Sequence, residues 1–354
     1  MKTRSLPLRR SGPAPAGSRK LAINRKFRRR PRGFRAFILK RIKPGDYMSK
    51  ENKLAEISSN AIVPEQLLHY VNLVSEVESK VVGPCLVHFN DDTAIIIGFP
   101  LDGSGKQFGA AQLSKTLDEL TGRKDLQRVS VLAPFRPTSA PEWSACFANG
   151  YQGLELPFKN ERPKGIGGLL AAKPKTGMPV KIENWTKEHA KIAKEFMRMR
   201  NLSAGSQQMF EGLEDYLKAN PGTRLFVARN EDGQLMGCLV GDFTSRETAF
   251  YMLSFNAPTA PAAAADSLMR AFIDEAEKQG KKRLVLGLNV DRNQTQQYKD
   301  KWGARELFPL VQTTWELNES GKAQARYYKK EMANRADKLR NEPLLLKLKR
   351  WIGL

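Results

Sequence analysis

The sequence predicts an α/β fold with mixed sheets, built as two tandem lobes between a basic N-terminal arm and a basic C-terminal helix. Three observations carry this reading. Short β-branched runs alternate with amphipathic stretches of helical period, the pattern of strands joined through crossover helices. A strand–helix–strand unit then recurs in register. Thr93-Ala94 opens one strand and Arg128 the next, 35 residues on, and Thr248-Ala249 and Arg283 are also 35 apart. The common offset of 155 pairs Leu113 with Leu268 and Leu117 with Phe272 inside the intervening helices, as two copies of one unit require. Finally, the charge is segregated. Residues 1–50 hold 17 Lys/Arg and one acid, Asp46, and residues 320–354 hold 10 bases and 3 acids. Between them 32 bases face 33 acids.

The elements follow in order. Residues 1–47 are rich in Arg, Pro and Gly and read as a linker-like, disordered basic arm without a core of its own. Met48-Ser49-Lys50-Glu51 reads as a natural beginning, where composition turns ordinary; a targeting peptide also fits the first 45 residues, which have no acid. The first lobe spans 48–158. Pro64 suits a first helical turn, and Leu67, Leu68, Val71 and Val74 predict a helix over 64–79. His69 reads as a packed helix residue rather than a ligand. Cys85–Phe89, the turn Asn90-Asp91-Asp92 and Thr93–Phe99 form a hairpin. A helix over 110–121 ends at Gly122, and a strand follows at Arg128–Ala133. Residues 134–150 read as irregular, with a short strand at Leu154–Leu156. A linker covers 159–179.

The second lobe spans 180–319. Thr186 caps a helix over 187–200 that turns Ile192, Ala193, Phe196 and Met197 inward. A second helix covers 206–218. Leu225–Arg229 and Met236–Val240 form a hairpin across Asp232-Gly233. Strands follow at 248–255, 283–288 and 311–317, and a helix with Leu268, Met269, Phe272, Ile273 and Ala276 on one face ends before Gly280. In 320–354, leucines 344, 345, 346 and 348 with Trp351 and Ile352 alternate with Lys347, Lys349 and Arg350, a basic amphipathic helix suited to an anionic membrane or to docking on the body.

Composition excludes several classes. Three separated cysteines and three histidines match no disulfide framework, zinc spacing or His-Glu-x-x-His motif, so no metal is expected. No apolar run is long enough to span a bilayer. Gly103-Ser104-Gly105-Lys106-Gln107 lacks the first glycine and the final hydroxyl of a P-loop, and Gly165-Ile166-Gly167-Gly168 follows no strand. A cytoplasmic protein, with peripheral attachment to a membrane as an extension, is the simplest setting.

The order helix, helix, hairpin, strand, helix, strand, helix, strand over 180–318 resembles the GNAT acyltransferase fold. Within it, Leu286-Gly287-Leu288-Asn289 followed by Asn293–Ala304, with Tyr298-Lys299-Asp300-Lys301-Trp302-Gly303, resembles a segment of Fem-type aminoacyltransferases and of the catalytic domain of phosphatidylglycerol lysyltransferases, which carries two tandem GNAT lobes. The resemblance implies acyl or aminoacyl transfer to an amine or hydroxyl acceptor, lipid-linked or related to the cell wall, with acyl-CoA or aminoacyl-tRNA as co-substrate. It implies catalytic roles for Tyr298, as proton donor to the leaving group, and for Lys299, facing tRNA or oxyanion charge. Asn256, Asn289, Arg292 and Asn293 are the substrate-binding candidates. One departure stands out. Acetyl-CoA-dependent members have a Gly-rich loop before the helix of the lobe, whereas Asn256–Ala265 has no glycine and two prolines, which remove backbone donors. That favours aminoacyl-tRNA over acetyl-CoA, or a catalytically silent fold that binds RNA or anionic membrane through its basic tails.

Overall fold

The computed structural model describes residues 44–75, 77–102, 109–138, 144–157, 177–200, 202, 204–288, 294–319 and 330. The chain divides into two units, Met1–Tyr47 and Met48–Leu354. The N-terminal arginine run, the Gly103–Gln107 and Gly165–Gly168 segments, Asn289, Arg292, Asn293 and the leucine-rich C-terminal stretch lie outside the described residues.

The elements are α1 (Pro44–Ser59), a 3-10 turn (Pro64–Gln66), α2 (Leu68–Val74), β1 (Glu78–Val82), β2 (Cys85–Asn90), β3 (Thr93–Ile97), α3 (Ala110–Thr121), β4 (Arg128–Ala133) and β5 (Ala145–Glu155). They continue with β6 (Val180–Glu183), α4 (Lys187–Met199), α5 (Ala204–Glu211), α6 (Leu213–Ala219), β7 (Thr223–Arg229), β8 (Leu235–Asp242) and β9 (Thr248–Asn256). The last are α7 (Ala262–Lys278), β10 (Arg283–Leu288), α8 (Gln294–Lys301) and β11 (Arg305–Glu316).

Among the described residues, all the strands join one sheet in the order β1-β2-β3-β4-β11-β5-β10-β9-β8-β7-β6. Two pairs are parallel, β3 with β4 and β9 with β10, and each needs a crossover helix, supplied by α3 and α7. Their registers coincide at the offset seen in the sequence: Thr93 faces Arg128 and Thr248 faces Arg283. The last strand of each half crosses over. β5 pairs with β10, and β11 pairs with β4, while β5 and β11 pair with each other at the centre.

Alternation along each strand sends side chains to two faces. On one face of the second half, α7 buries Leu268, Met269, Phe272 and Ile273 against Phe226, Ala228, Leu239, Ala249, Leu284 and Leu286. The neighbouring residues turn the other way, where Leu225, Val227, Val240 and Phe255 meet Ala193, Phe210, Leu213 and Tyr216 of α4, α5 and α6. α3 covers Ala94, Ile96, Val129 and Val131 through Leu113, Leu117 and Leu120. A further core lies over the sheet centre, where Ile57, Ile62, Val63 and Leu67 pack with Phe99, Tyr151, Phe250, Val285 and Leu310.

Several elements differ from the sequence reading. The helix expected over 64–79 is a 3-10 turn and a short α2; the chain becomes extended at Ser75 and enters β1, which pairs with β2. The helix expected over 206–218 is two, α5 and α6, meeting at Gly212. A β-carbon there would lie 2.4 Å from Leu73 Cδ1 of α2, so the glycine admits a neighbouring helix. β5 runs through Ala145–Glu155 although its glycines break the strand pattern. At Gly153 a β-carbon would lie 2.2 Å from the Leu284 carbonyl oxygen, so this seam between β5 and β10 requires glycine.

Candidate functional site

The candidate site lies where β9 and β10 part. They pair only at Thr248–Arg283, Ala249–Leu284 and Phe250–Val285, although β9 continues to Asn256 and β10 to Leu288. On its other side β9 carries an irregularity: Gly241 faces Tyr251 and Val240 faces Leu253, so Met252 has no register partner on β8. Beyond Phe250 it has none on β10 either. A second irregularity falls on β10 opposite β5, between Val285 and Leu288, where Gly287 adopts φ +87°. Only glycine takes that backbone conformation readily. The parting therefore has backbone groups outside the ladder on its β9 wall and a kinked β10 wall.

α8 is seated over the end of β10 and the start of α7. Lys299 is only 7% exposed, and its Nζ donates to the Leu288 carbonyl at 2.8 Å. Burial pulls the Lys299 pKa down, opposed by the charge of Asp300. Tyr298 is half-buried against the α7 core beside Trp302, and its hydroxyl donates to the Ala265 carbonyl at 2.8 Å. Burial, then Tyr251 and Asp266, raise its phenol well above the usual range, so it holds its proton at neutral pH. Lys301 pairs with Asp266 at 2.5 Å, and Arg270 lies over the Trp302 ring.

At the entrance to α7, Pro261 occupies the N-cap position. Backbone N–H groups of Ala257, Ala260 and Ala264 donate to Met236, Ala257 and Pro261 carbonyls. Asn256 ends β9 with its Oδ1 buried and without a hydrogen bond; a β-carbon on Gly237 would lie 2.3 Å from that oxygen. Thus Tyr298 and Lys299 meet the ends of α7 and β10, and Asn256 closes β9.

On the opposite face of the sheet centre lies a group the sequence reading missed. Tyr151 of β5 is the register partner of Leu288 on β10. Its hydroxyl donates to Glu65 Oε2 at 2.6 Å. Burial raises the Glu65 pKa, with the Tyr151 hydrogen bond opposing. Tyr70 of α2 is raised by burial and by the Glu65 charge. The available signal was a single acid inside the apolar run Ile62-Val63-Pro64-Glu65-Gln66-Leu67-Leu68.

A separate cleft of about 590 Å³ lies at the β6 edge, lined by Ile182, Trp185, Leu217, Lys218 and Arg224 among others. Among the described residues, no group of three His, Cys, Asp or Glu could hold a metal ion, and no helix is long and apolar enough to cross a membrane.

The C-terminal domain of a protein described as a lysylphosphatidylglycerol synthetase from Agrobacterium fabrum has a similar structure: TM-score 0.51 at 13% identity, covering 77% of this chain and 93% of that one. The fold is of the GNAT type. Two further structures align less closely. L-PGS from Bacillus licheniformis has TM-score 0.48 at 14% identity, over 80% of this chain and 96% of that one. FemX has TM-score 0.49 at 12% identity, over 74% and 95%. No protein-family model and no curated protein sequence matches the chain. At these identities the GNAT likeness is one of fold.

Proposed function

We propose that the chain transfers an acyl or aminoacyl group from acyl-CoA or aminoacyl-tRNA to an amine or hydroxyl acceptor, at the parting of β9 and β10. The carrying observation is that parting itself, with Met252 outside both ladders and a desolvated Lys299 bonded to the end of β10. Acyl transfer needs a held acceptor, an oriented carbonyl and donors for the developing oxyanion. Backbone groups freed at Met252 suit the carbonyl. An ammonium has three donors, of which Leu288 takes one, leaving Lys299 able to stabilise an oxyanion or a phosphate. Tyr298 supplies a hydroxyl that stays protonated until a stronger base, such as a leaving alkoxide, replaces Ala265 as its partner. Asn256, Asn289, Arg292 and Asn293 complete the substrate-binding set in this reading.

The equal registers of β3/β4 and β9/β10 support reading the body as two tandem lobes, 48–158 and 180–319, joined by 159–179. The basic segments 1–47 and 320–354 supply attraction for tRNA or an anionic membrane. The acceptor in this reading is a small molecule or is lipid-linked, and the chain works in the cytoplasm or at its membrane surface.

The test is transfer from labelled aminoacyl-tRNA, and separately from labelled acyl-CoA, to extracted lipid and small amines. Lys299→Met is expected to lower turnover roughly 10²-fold; an unchanged rate defeats the assignment. A catalytically silent module is the second reading, favoured by the prolines and Asp266 at the α7 entrance. It predicts RNA or vesicle binding with no transfer from either donor.

A further inference from the structure

We infer that Glu65, Tyr151 and Tyr70 form a recognition site for a protonated primary amine, on the face of the sheet opposite α7. This rests on the transfer reading for its place in a reaction, and it names the chemical group bound.

Glu65 is presented rigidly. Its carbonyl accepts from His88 Nε2 at 2.9 Å. The next residue, Gln66, is fully buried; its Oε1 accepts from the Ile62 and Val63 N–H groups and its Nε2 donates to the Pro100 carbonyl. The turn is thus tied to its surroundings on both sides of the carboxyl-bearing residue. Glu65 and Tyr70 are half-buried, whereas Tyr151 is buried.

The charge balance is the decisive feature. Among the described residues, the titratable groups facing Glu65 come from three elements: Tyr151 from β5, Tyr70 from α2 and His88 from β2. None is a cation at neutral pH. His88 donates through Nε2, which leaves Nδ1 to accept from the Ser79 hydroxyl at 2.9 Å, and burial lowers its pKa. Among the described residues, Glu65 makes no ion pair within 4.0 Å. A carboxylate offers about four acceptor directions, and the Tyr151 hydroxyl fills one. The surrounding rings, Tyr70, Tyr151 and Phe99 (6.2 Å from Tyr151, edge on), suit a cation held against aromatic surfaces. A carboxylate in aromatic surroundings and short of a counter-charge gains most from an ammonium, which brings charge and three donors together.

The location ties this to transfer. Tyr151 faces Leu288 in register, and Leu288 receives the Lys299 ammonium on its carbonyl. An amine at Glu65 is therefore held beside the end of β10 from the other face. On binding, the Glu65 carboxylate pairs with an ammonium that keeps its own proton; no covalent bond changes. The ammonium can come from an aminoacyl donor, whose α-amino group lies next to the transferred carbonyl, or from an amine acceptor.

Calorimetric titration of the full chain tests this without any transfer assay. The ligands are n-butylamine for an acceptor, alaninamide for an aminoacyl end, and 1-butanol as the uncharged control. The titrations are run at pH 7. At least one amine is expected to bind, and butanol is not; the tighter amine identifies the source. Glu65→Gln, nearly isosteric, is expected to weaken binding by 30-fold or more, as loss of one partner of a desolvated charge pair does. Tyr151→Phe, which keeps the carboxyl, is expected to weaken it several-fold. Absence of amine binding by the wild-type chain overturns the proposal, as does binding unaffected by a folded Glu65→Gln or by Tyr151→Phe. Lys299→Met separates the two readings. Glu65-dependent amine binding in a chain that transfers nothing leaves this site standing and removes the transferase.

Discussion

His189 illustrates how one side chain couples a helix end to pH. The Thr186 N–H donates to its Nδ1 at 3.0 Å, so the ring carries its proton on Nε2, which faces the Glu183 carboxylate at 3.4 Å. Nδ1 can accept only while the ring is neutral. Burial lowers the His189 pKa, outweighing the opposing pull of Glu183. Between its folded and unfolded values the unfolded chain binds more protons, so stability rises with pH there. The contribution is present above the unfolded value of about 6.5 and is lost as pH falls toward the lower folded one. Denaturant melts are expected to show this acid loss, and His189→Asn to flatten it while costing about 1 kcal/mol at pH 7.5, the size of a lost cap. Glu65 acts in the opposite sense. Its raised pKa makes a contribution that is present at low pH and lost as pH rises through the folded value.

Asp242 is the other residue on which much rests. It is fully buried and accepts from Tyr216 Oη at 2.6 Å, Asn220 Nδ2 at 2.7 Å and the Thr244 N–H at 2.7 Å. Nearby, Lys281 Nζ donates to the carbonyls of Phe243 and Ser245. Removing the acid leaves three buried donors and an amine without its counter-charge. Asp242→Ala is expected to cost roughly 3–5 kcal/mol, read as a lower urea midpoint with little change in slope.

Among the elements, β10 controls the site most directly. Gly287 at φ +87° has open space around a notional β-carbon, so alanine there meets no clash and pays only the backbone cost. Gly287→Ala is expected to lose about 1 kcal/mol and to lower turnover by more than stability alone explains, because the kink sets the Leu288 carbonyl that holds Lys299. Parallel melts and rates check this. Rates that simply track stability would mean that the kink is incidental. Gly153 belongs to the β5–β10 seam instead. Its close approach is to backbone, which cannot swing aside, so Gly153→Ala is expected to cost roughly 1–3 kcal/mol.

The whole molecule is organised by the exchange of final strands. β5 completes its pairing on β10, and β11 on β4, so neither half of the sheet can satisfy its central strands alone. Segments 48–158 and 159–319 expressed separately are expected to be insoluble or unfolded, and the intact chain to melt in one transition with matching calorimetric and van't Hoff enthalpies. Two separated transitions would show that the halves are independent.

Local pattern already determined most of the strands and helices of this protein, and even the registers of its parallel pairs, because inward residues repeat along each element and equal intervals separate paired strands. Tyr298 and Lys299 were singled out by a resemblance carried by a short segment after a strand, not by periodicity, and the structure seats them on the Ala265 and Leu288 carbonyls. Only the tertiary structure decided the strand order, the break at Gly212 and the length of β5, since each depends on a neighbour distant in sequence. The pairing of Glu65 with Tyr151 joins residues 86 apart. Periodicity carries no information about such a contact, because it comes from the packing of a turn onto the sheet centre rather than from any repeat in the chain.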